Sequence, residues 1–198
     1  MQVFDFDKDY ILEDERVLLR PLKSSDYDNL LSFSLNEPTL WQYSIQQANT
    51  EEKLLSYINN ALEKRKNLSE YPFIVFDKKT NQYAGSTRFY DIQLKDKTMQ
   101  LGYTWYGKDF QGTGLNKHCK FLLLQFAFDE IEMERVEFRS DNNNARSIAA
   151  MRSIGCTVEG VLRQHVLLFD GNRRDSIILS ILKSEWNNTV KNNLLQKL

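Results

Sequence analysis

Four of the chain's eight glycines stand close together, at Gly102, Gly107, Gly112 and Gly114. They precede or punctuate a turn, residues 107–114, that leads from a strand-like run at 101–106 into a helix-like run at 115–128. Glycine takes positive φ and lets a ligand come close to the backbone. A glycine turn that opens a helix points unpaired N–H groups outward, with the helix dipole behind them. That arrangement is an anion site, most often for phosphate. The turn is not a P-loop, because no Gly-Lys-Ser/Thr follows. It also lacks the third glycine of the dinucleotide fingerprint. Taken alone, it reads equally well as a phosphate cradle or as a tight connection that binds nothing.

The elements around the turn are readable from periodicity. Residues 16–20 form a strand stopped by Pro21. Ser24 or Ser25 can cap a helix whose buried face is Leu30, Leu31, Phe33 and Leu35, and Pro38 ends it. An aromatic loop, Leu40 to Tyr43, follows. Thr50 caps a second helix with Leu54, Leu55, Ile58 and Leu62 at helical spacing. The period then changes. Strands at 73–76, 83–90 and 99–106, joined by polar turns, form an antiparallel meander. After the glycine turn, Leu115, Cys119, Leu122, Leu123 and Phe126 define a helix that Phe121, Leu124 and Phe128 make apolar on most sides. The alternation of 135–139 gives a strand reached by a parallel crossover. Ala145, Ile148, Met151 and Ile154 mark another helix, ended by Gly155. Two last strands, 158–169 and 176–182, flank the hairpin turn Asp170-Gly171-Asn172. The order β-α-α-β-β-β-α-β-α-β-β describes one mixed α/β (α+β) domain.

Composition bounds the function. The chain has 198 residues, 41% hydrophobic and 27% charged, with a formal net charge of −1. Near-neutrality gives no drive toward nucleic acid or an anionic membrane. Two cysteines form no disulfide framework, and with two histidines they make a metal cluster improbable. No apolar run reaches membrane-spanning length, and the acidic N-terminus does not read as a signal peptide. The expected compartment is the cytoplasm. Residues 1–15 read as a leader of uncertain order, 16–186 as the domain, and 187–198 as a tail with little pattern beyond Leu194 and Leu195.

The order and motifs together resemble the GNAT superfamily of acyl-CoA N-acyltransferases, nearest to its RimJ/RimL-like branch. The resemblance runs from about Arg16 to Trp186. Arg16-Val17-Leu18-Leu19-Arg20-Pro21-Leu22 with Asp26 is similar to the opening strand, and Gly102-Tyr103-Thr104-Trp105 to the central one. Gln111-x-x-Gly114 resembles the first part of the pyrophosphate loop Arg/Gln-x-x-Gly-x-Gly/Ala. Asn144-x-x-Ser147-Ile148 through Ile154-Gly155 resembles the second cofactor motif. Glu159-Gly160-x-x-Arg163, Asp175 and Glu185-Trp186 resemble the closing segments. The resemblance implies acetyl-CoA as cofactor and two parallel strands that splay to admit its arm. The arm would pair with main chain of Tyr103, Thr104 and Trp105. The pyrophosphate would sit on N–H groups of Gln111, Gly112, Thr113, Gly114, Leu115 and Asn116, with Asn144 and Ser147 toward the thiol end. Lys117 and Lys120 either add charge near the phosphates or stand as solvated helix lysines.

The implied activity is acetyl transfer to a primary amine, on a protein N-terminus or a small molecule such as an amino acid, polyamine or amine antibiotic. Catalytic residues are less evident. Many relatives carry Glu before the Gly-Tyr of the central strand, where this chain has Gln100. Many place a Tyr acid where this chain has Met151, and the loop's second small residue is Asn116. Tyr103, Glu159 and Ser147 are the substitute candidates, and His118 faces either the phosphates or solvent. Catalysis chiefly by positioning, with water taking the proton, is the favoured expectation. A non-catalytic acyl-CoA-binding module or sensor is the alternative, kept open by Gln100 and Met151. Residues 40–43 and the strand pair ending near Asp170 are the expected acceptor walls. Oligomeric state is left open, a homodimer being the commonest form.

Overall fold

The computed structural model describes residues 4–198. One eight-stranded sheet runs in the order β1-β2-β3-β4-β5-β6-β8-β7. The first five strands are β1 (Leu12–Glu13), β2 (Val17–Pro21), β3 (Glu70–Asp77), β4 (Gln82–Gln93) and β5 (Thr98–Tyr106), each antiparallel to the next. β6 (Arg135–Asp141) then pairs parallel to β5, as the crossover requires. The last hairpin is β7 (Thr157–Leu167) and β8 (Arg173–Leu182), with β8 inserted between β6 and β7.

Helices cover both faces. α1 (Tyr27–Asn36) and α2 (Glu51–Lys66) lie on one, and α2 starts where the Thr50 hydroxyl accepts the Lys53 N–H. α3 (Leu115–Gln125) lies on the other and runs on through a π turn, Phe126–Glu130. The alternation of β3 divides the core accordingly. Ile74 packs with Leu30, Leu54 and Ile58, whereas Phe73 and Val75 pack with Leu115, Leu123 and Leu124. α4 (Ala145–Ser153) follows β6. α5 (Lys183–Glu185) passes through a π turn at Trp186–Val190 into α6 (Lys191–Leu195).

Both ends of the chain hold more structure than their sequence suggested. The leader expected to be of uncertain order buries Phe4, Phe6, Tyr10 and Leu12 in the α3-side core. Phe4 stacks on Tyr10, and both rings meet Phe126. In the tail, Val190 and Leu194 are buried. Trp186 is buried completely, stacks on Phe128 and donates its indole N–H to Asp129 at 2.9 Å. No helix among the described residues is long and apolar enough to cross a membrane.

Candidate functional site

The parallel seam between β5 and β6 is short. It holds only Thr98↔Arg135, Met99↔Val136 and Gln100↔Glu137, after which the strands part. The cause lies on the other side of β5. Ser86 pairs with Trp105 and Arg88 with Gly102, so one β4 residue, Thr87, faces two β5 residues, Tyr103 and Thr104. That is a β-bulge, and Tyr103 sits in it at φ 48°. A bulge bends its strand and adds local twist. Here it carries β5 away from β6 immediately beyond the last shared pair. A cavity of about 790 Å³ occupies the opening.

At one end of the cavity lies the glycine turn. Gly112 and Gly114 have φ of 75° and 90° and line the cavity. A Cβ at Gly114 would meet nothing within 4 Å. Gly114 is the N-cap of α3 and offers no side chain to cap it. The Lys117 N–H is taken by the Gly114 carbonyl at 2.8 Å and the Leu115 N–H meets the Thr113 hydroxyl at 3.5 Å, which leaves the N–H groups of Gly112, Thr113, Gly114 and Asn116 for an anion. Gln111 braces the turn by donating its side-chain N–H to the Tyr106 carbonyl at 2.8 Å, and its oxygen accepts from Arg146 at the start of α4. Lys117 also lines the wall, so two cations flank the turn. The side chains of Thr113 and Leu115 do not line it: the Thr113 hydroxyl donates to the Phe110 carbonyl, and Leu115 is fully buried. Only their main chain is available to a ligand.

In the gap itself stands Lys120. It is neither solvated nor turned to the phosphate turn. It is buried, with its Nζ 2.8 Å from the Thr104 Oγ1 and 5.9 Å from the centre of the Phe138 ring. It therefore bridges β5 and β6 where they have separated. Burial lowers its pKa from the ordinary 10.5 to about 8. Between those values the unfolded chain holds a proton that the folded one has lost, so stability rises with pH through that window. Below about pH 8 the full penalty of a buried ammonium applies. Lys120→Met is accordingly expected to be more stable than wild type at pH 7. The gap should close as pH rises from 8 toward 10.5, and urea midpoints across that range check it.

The far end is lined by Leu40, Trp41, Tyr43, Gln100, His165 and Arg174, which brings together the two walls expected from sequence. Gln100 donates its side-chain N–H to the Asp91 carboxylate at 2.7 Å. The carboxylate missing at position 100 thus stands on the neighbouring strand. Asp91 and Asp141 are the carboxylates on the cavity wall. Partial desolvation and the cations Arg139 and Arg174 lower the pKa of His165.

The sequence candidates separate clearly. Tyr103 lines the cavity, but its ring packs on the Arg88 guanidinium at 4.1 Å. Burial is the main cause that raises its pKa. Thr104 and Trp105 line the gap, and the Trp105 indole donates to Tyr57 at 3.3 Å. Asn116, Ser147 and Met151 are on the wall. Asn144 is there too, with its side-chain oxygen capping α4 by accepting the Ser147 N–H. Glu159 requires correction. It lies outside the cavity, on β7, where its carboxylate is bound by Arg135 and by the Ser180 hydroxyl at 2.7 Å. His118 is buried against Asp14 at 2.7 Å and does not line the cavity. Cys119 and Cys156 are buried, and burial pushes both thiols up to about 12.

Sequence reading missed Asp91, Arg146, His165 and the burial of Lys120. The last had a signal: on a helix apolar on most sides, Lys120 stands three and four residues before the core residues Leu123 and Leu124.

Residues 16–157 match the family described as "Acetyltransferase (GNAT) domain". The "Putative ribosomal N-acetyltransferase YdaF" of Bacillus subtilis (strain 168) is 30% identical over 103 residues, which are 52% of this chain and 55% of that protein. The chain thus matches about half the length of that relative. The "Uncharacterized N-acetyltransferase p20" of Bacillus licheniformis is 24% identical across 87% of this chain and 96% of its own. Among solved structures, a "putative acetyltransferase" of T. thermophilus is 30% identical, covers both chains fully and superposes with a TM-score of 0.87.

Proposed function

Because the chain belongs to the GNAT acetyltransferase family, we propose that it moves an acetyl group from acetyl-CoA directly to a primary amine in one ternary complex. The observation that carries this reading is the continuity of the cavity. It runs from the free N-terminus of α3, through the gap between β5 and β6, to a wall of aromatic and polar side chains. The residues present suit the donor. The open space at Gly114 and the unpaired N–H groups of Gly112, Thr113, Gly114 and Asn116 suit a pyrophosphate, with Lys117 and Arg146 sharing its charge. The parted main chain at Tyr103, Thr104 and Trp105 suits a pantetheine arm, which would add to β5 as a strand does.

When bound, acetyl-CoA supplies the thioester carbonyl that the amine attacks. The chain's own task is to hold, orient and exchange protons. Backbone N–H groups of the bulged strand are the donors that would polarise that carbonyl. Gln100 stays neutral and cannot take a proton, but Asp91 and His165 can, directly or through one water. Trp41 and Tyr43 shape the acceptor entrance. The name of YdaF makes an N-terminal amine of a ribosomal protein the first acceptor to try, ahead of small-molecule amines.

The test is thiol release from acetyl-CoA with a panel of N-terminal peptides and small amines, beside calorimetric titration of acetyl-CoA alone. Binding with amine-dependent thiol release is expected. Binding without release by any amine would favour the acyl-CoA-binding module, and no binding would end both readings.

A further inference from the structure

Lys120 is a buried cation that no carboxylate neutralises. Among the described residues its hydrogen bond is to the Thr104 hydroxyl, and the titratable groups that bear on it are Cys119 on its own helix and Cys156 beyond α4. Both are buried thiols, protonated at neutral pH. A folded protein keeps a lone ammonium out of water only at a cost, unless something else supplies the negative charge. The cavity in which it stands is lined by both parted strands and by Met151 of α4. The Met151 carbonyl accepts the Cys156 N–H at 3.2 Å, which ties the end of α4 to the thiol that bears on Lys120. The ammonium therefore stands between Thr104 and Phe138, in the same cavity whose wall carries the Met151 thioether, which offers no proton to donate.

Building on the acetyl-transfer reading, we propose that Lys120 is the general acid that protonates the departing CoA thiolate. The balance is simple. The neutral amine attacks the thioester carbon and a C–N bond forms. The C–S bond breaks, and the sulfur takes a proton from the Lys120 ammonium. The attacking nitrogen sheds one proton, which returns the lysine to its charged form through water. The net products are the N-acetyl amine and free thiol, with no other reactant. A cation already in place also stabilises the thiolate charge as it develops, in a site where water does not screen it. The lowered pKa suits this work, because a donor that titrates near the working pH gives up its proton readily.

The test compares wild type with Lys120→Met, Lys120→Gln and Lys120→Arg. Calorimetry gives the affinity for acetyl-CoA, thermal melting gives the state of the fold, and kcat is measured at saturating amine from pH 6 to 10. Affinity in Lys120→Met should stay within about twofold while kcat falls roughly a hundredfold, within the usual span for a general acid. Wild-type kcat should decline as pH rises through the region near 8, and that limb should vanish in Lys120→Met and Lys120→Gln. Lys120→Arg keeps the charge but holds its protons too tightly to donate, so it should stay slow. Recovery of kcat by Arg would overturn proton donation in favour of charge alone. An unchanged kcat and pH limb in folded Lys120→Met or Lys120→Gln would overturn any catalytic part for Lys120, while leaving acetyl transfer standing. Absence of thiol release from wild type with every amine would remove both proposals together.

Discussion

Gly114→Glu is expected to weaken acetyl-CoA binding by about a hundredfold or more. Two effects act together. Gly114 sits at φ 90°, where a side chain strains the backbone. Its Cβ direction is open, so the new carboxylate would reach into the space proposed for the pyrophosphate. Like charges a few ångströms apart cost about 4 kcal/mol each at an intermediate effective dielectric, enough for that loss. Gly171→Glu is the control. It shares a positive φ of 84° and open surroundings, but lies in the β7–β8 turn and not on the cavity wall. Calorimetry should find acetyl-CoA affinity lost in the first variant and kept in the second. Equal loss in both would make backbone strain the cause, and no loss in either would remove the phosphate cradle from the proposal.

Glu70→Leu is expected to be the most damaging of the single changes to stability. Glu70 is 4% exposed and bonds the Arg88 guanidinium at 2.7 Å, while Lys64 holds its other oxygen at 2.8 Å. Arg88 is 1% exposed and lies between the Tyr57 and Tyr103 rings, with two of its three nitrogens unpartnered. Removing the carboxylate leaves a buried cation without compensation, at a cost of about 3–5 kcal/mol. For a chain of this size that corresponds to a melting point lower by roughly 10 °C. Glu70→Leu combined with Arg88→Met should recover much of the loss, because an apolar pair of similar volume is often as stable as the ion pair it replaces. A double-mutant cycle reads the coupling directly. Near-additive losses would mean that the pair is not what holds this part of β3 and β4. Because Tyr103 packs on Arg88, the single variant should also disturb the bulged strand.

Most elements were legible because their causes are local. Thr50 caps α2 by its own hydroxyl, and Gly155 ends α4 at φ 100°. Pro38 stops α1 and opens a short 3-10 turn. Strands 73–76 and 83–90 were found but underestimated. Their flanks are polar residues, such as Glu70 and Asp77, that distant partners satisfy: Arg88 for one and Arg16 for the other. No local pattern announces such pairing. The buried leader is a similar case, since Phe4 acquires meaning only when Phe126 lies beside it, and Phe6 only when it packs on Phe4. For the site, the glycine turn and the strand motif were readable because backbone conformation requires those residue types. Glu159 misled because a carboxylate on a strand carries no sign of its partner, here Arg135. Asp91 was passed over as part of a polar turn, although it faces Gln100 across β4 and β5.

The early end of the β5–β6 ladder also has a meaning for how such a chain can diverge. On the proposed function, the donor is recognised largely by peptide groups that the bulge leaves without a neighbouring strand, and peptide groups are the same whatever side chains they carry. Selection can therefore alter much of the sequence around the gap without changing the donor, provided that the bulge and its glycines persist. The acceptor end is built from side chains instead, Trp41, Tyr43, His165 and Arg174 among them. One end of the same cavity is thus inherited almost as architecture, while the other can be rewritten substitution by substitution, and new acceptors should arise at Trp41, Tyr43, His165 and Arg174 long before the donor changes.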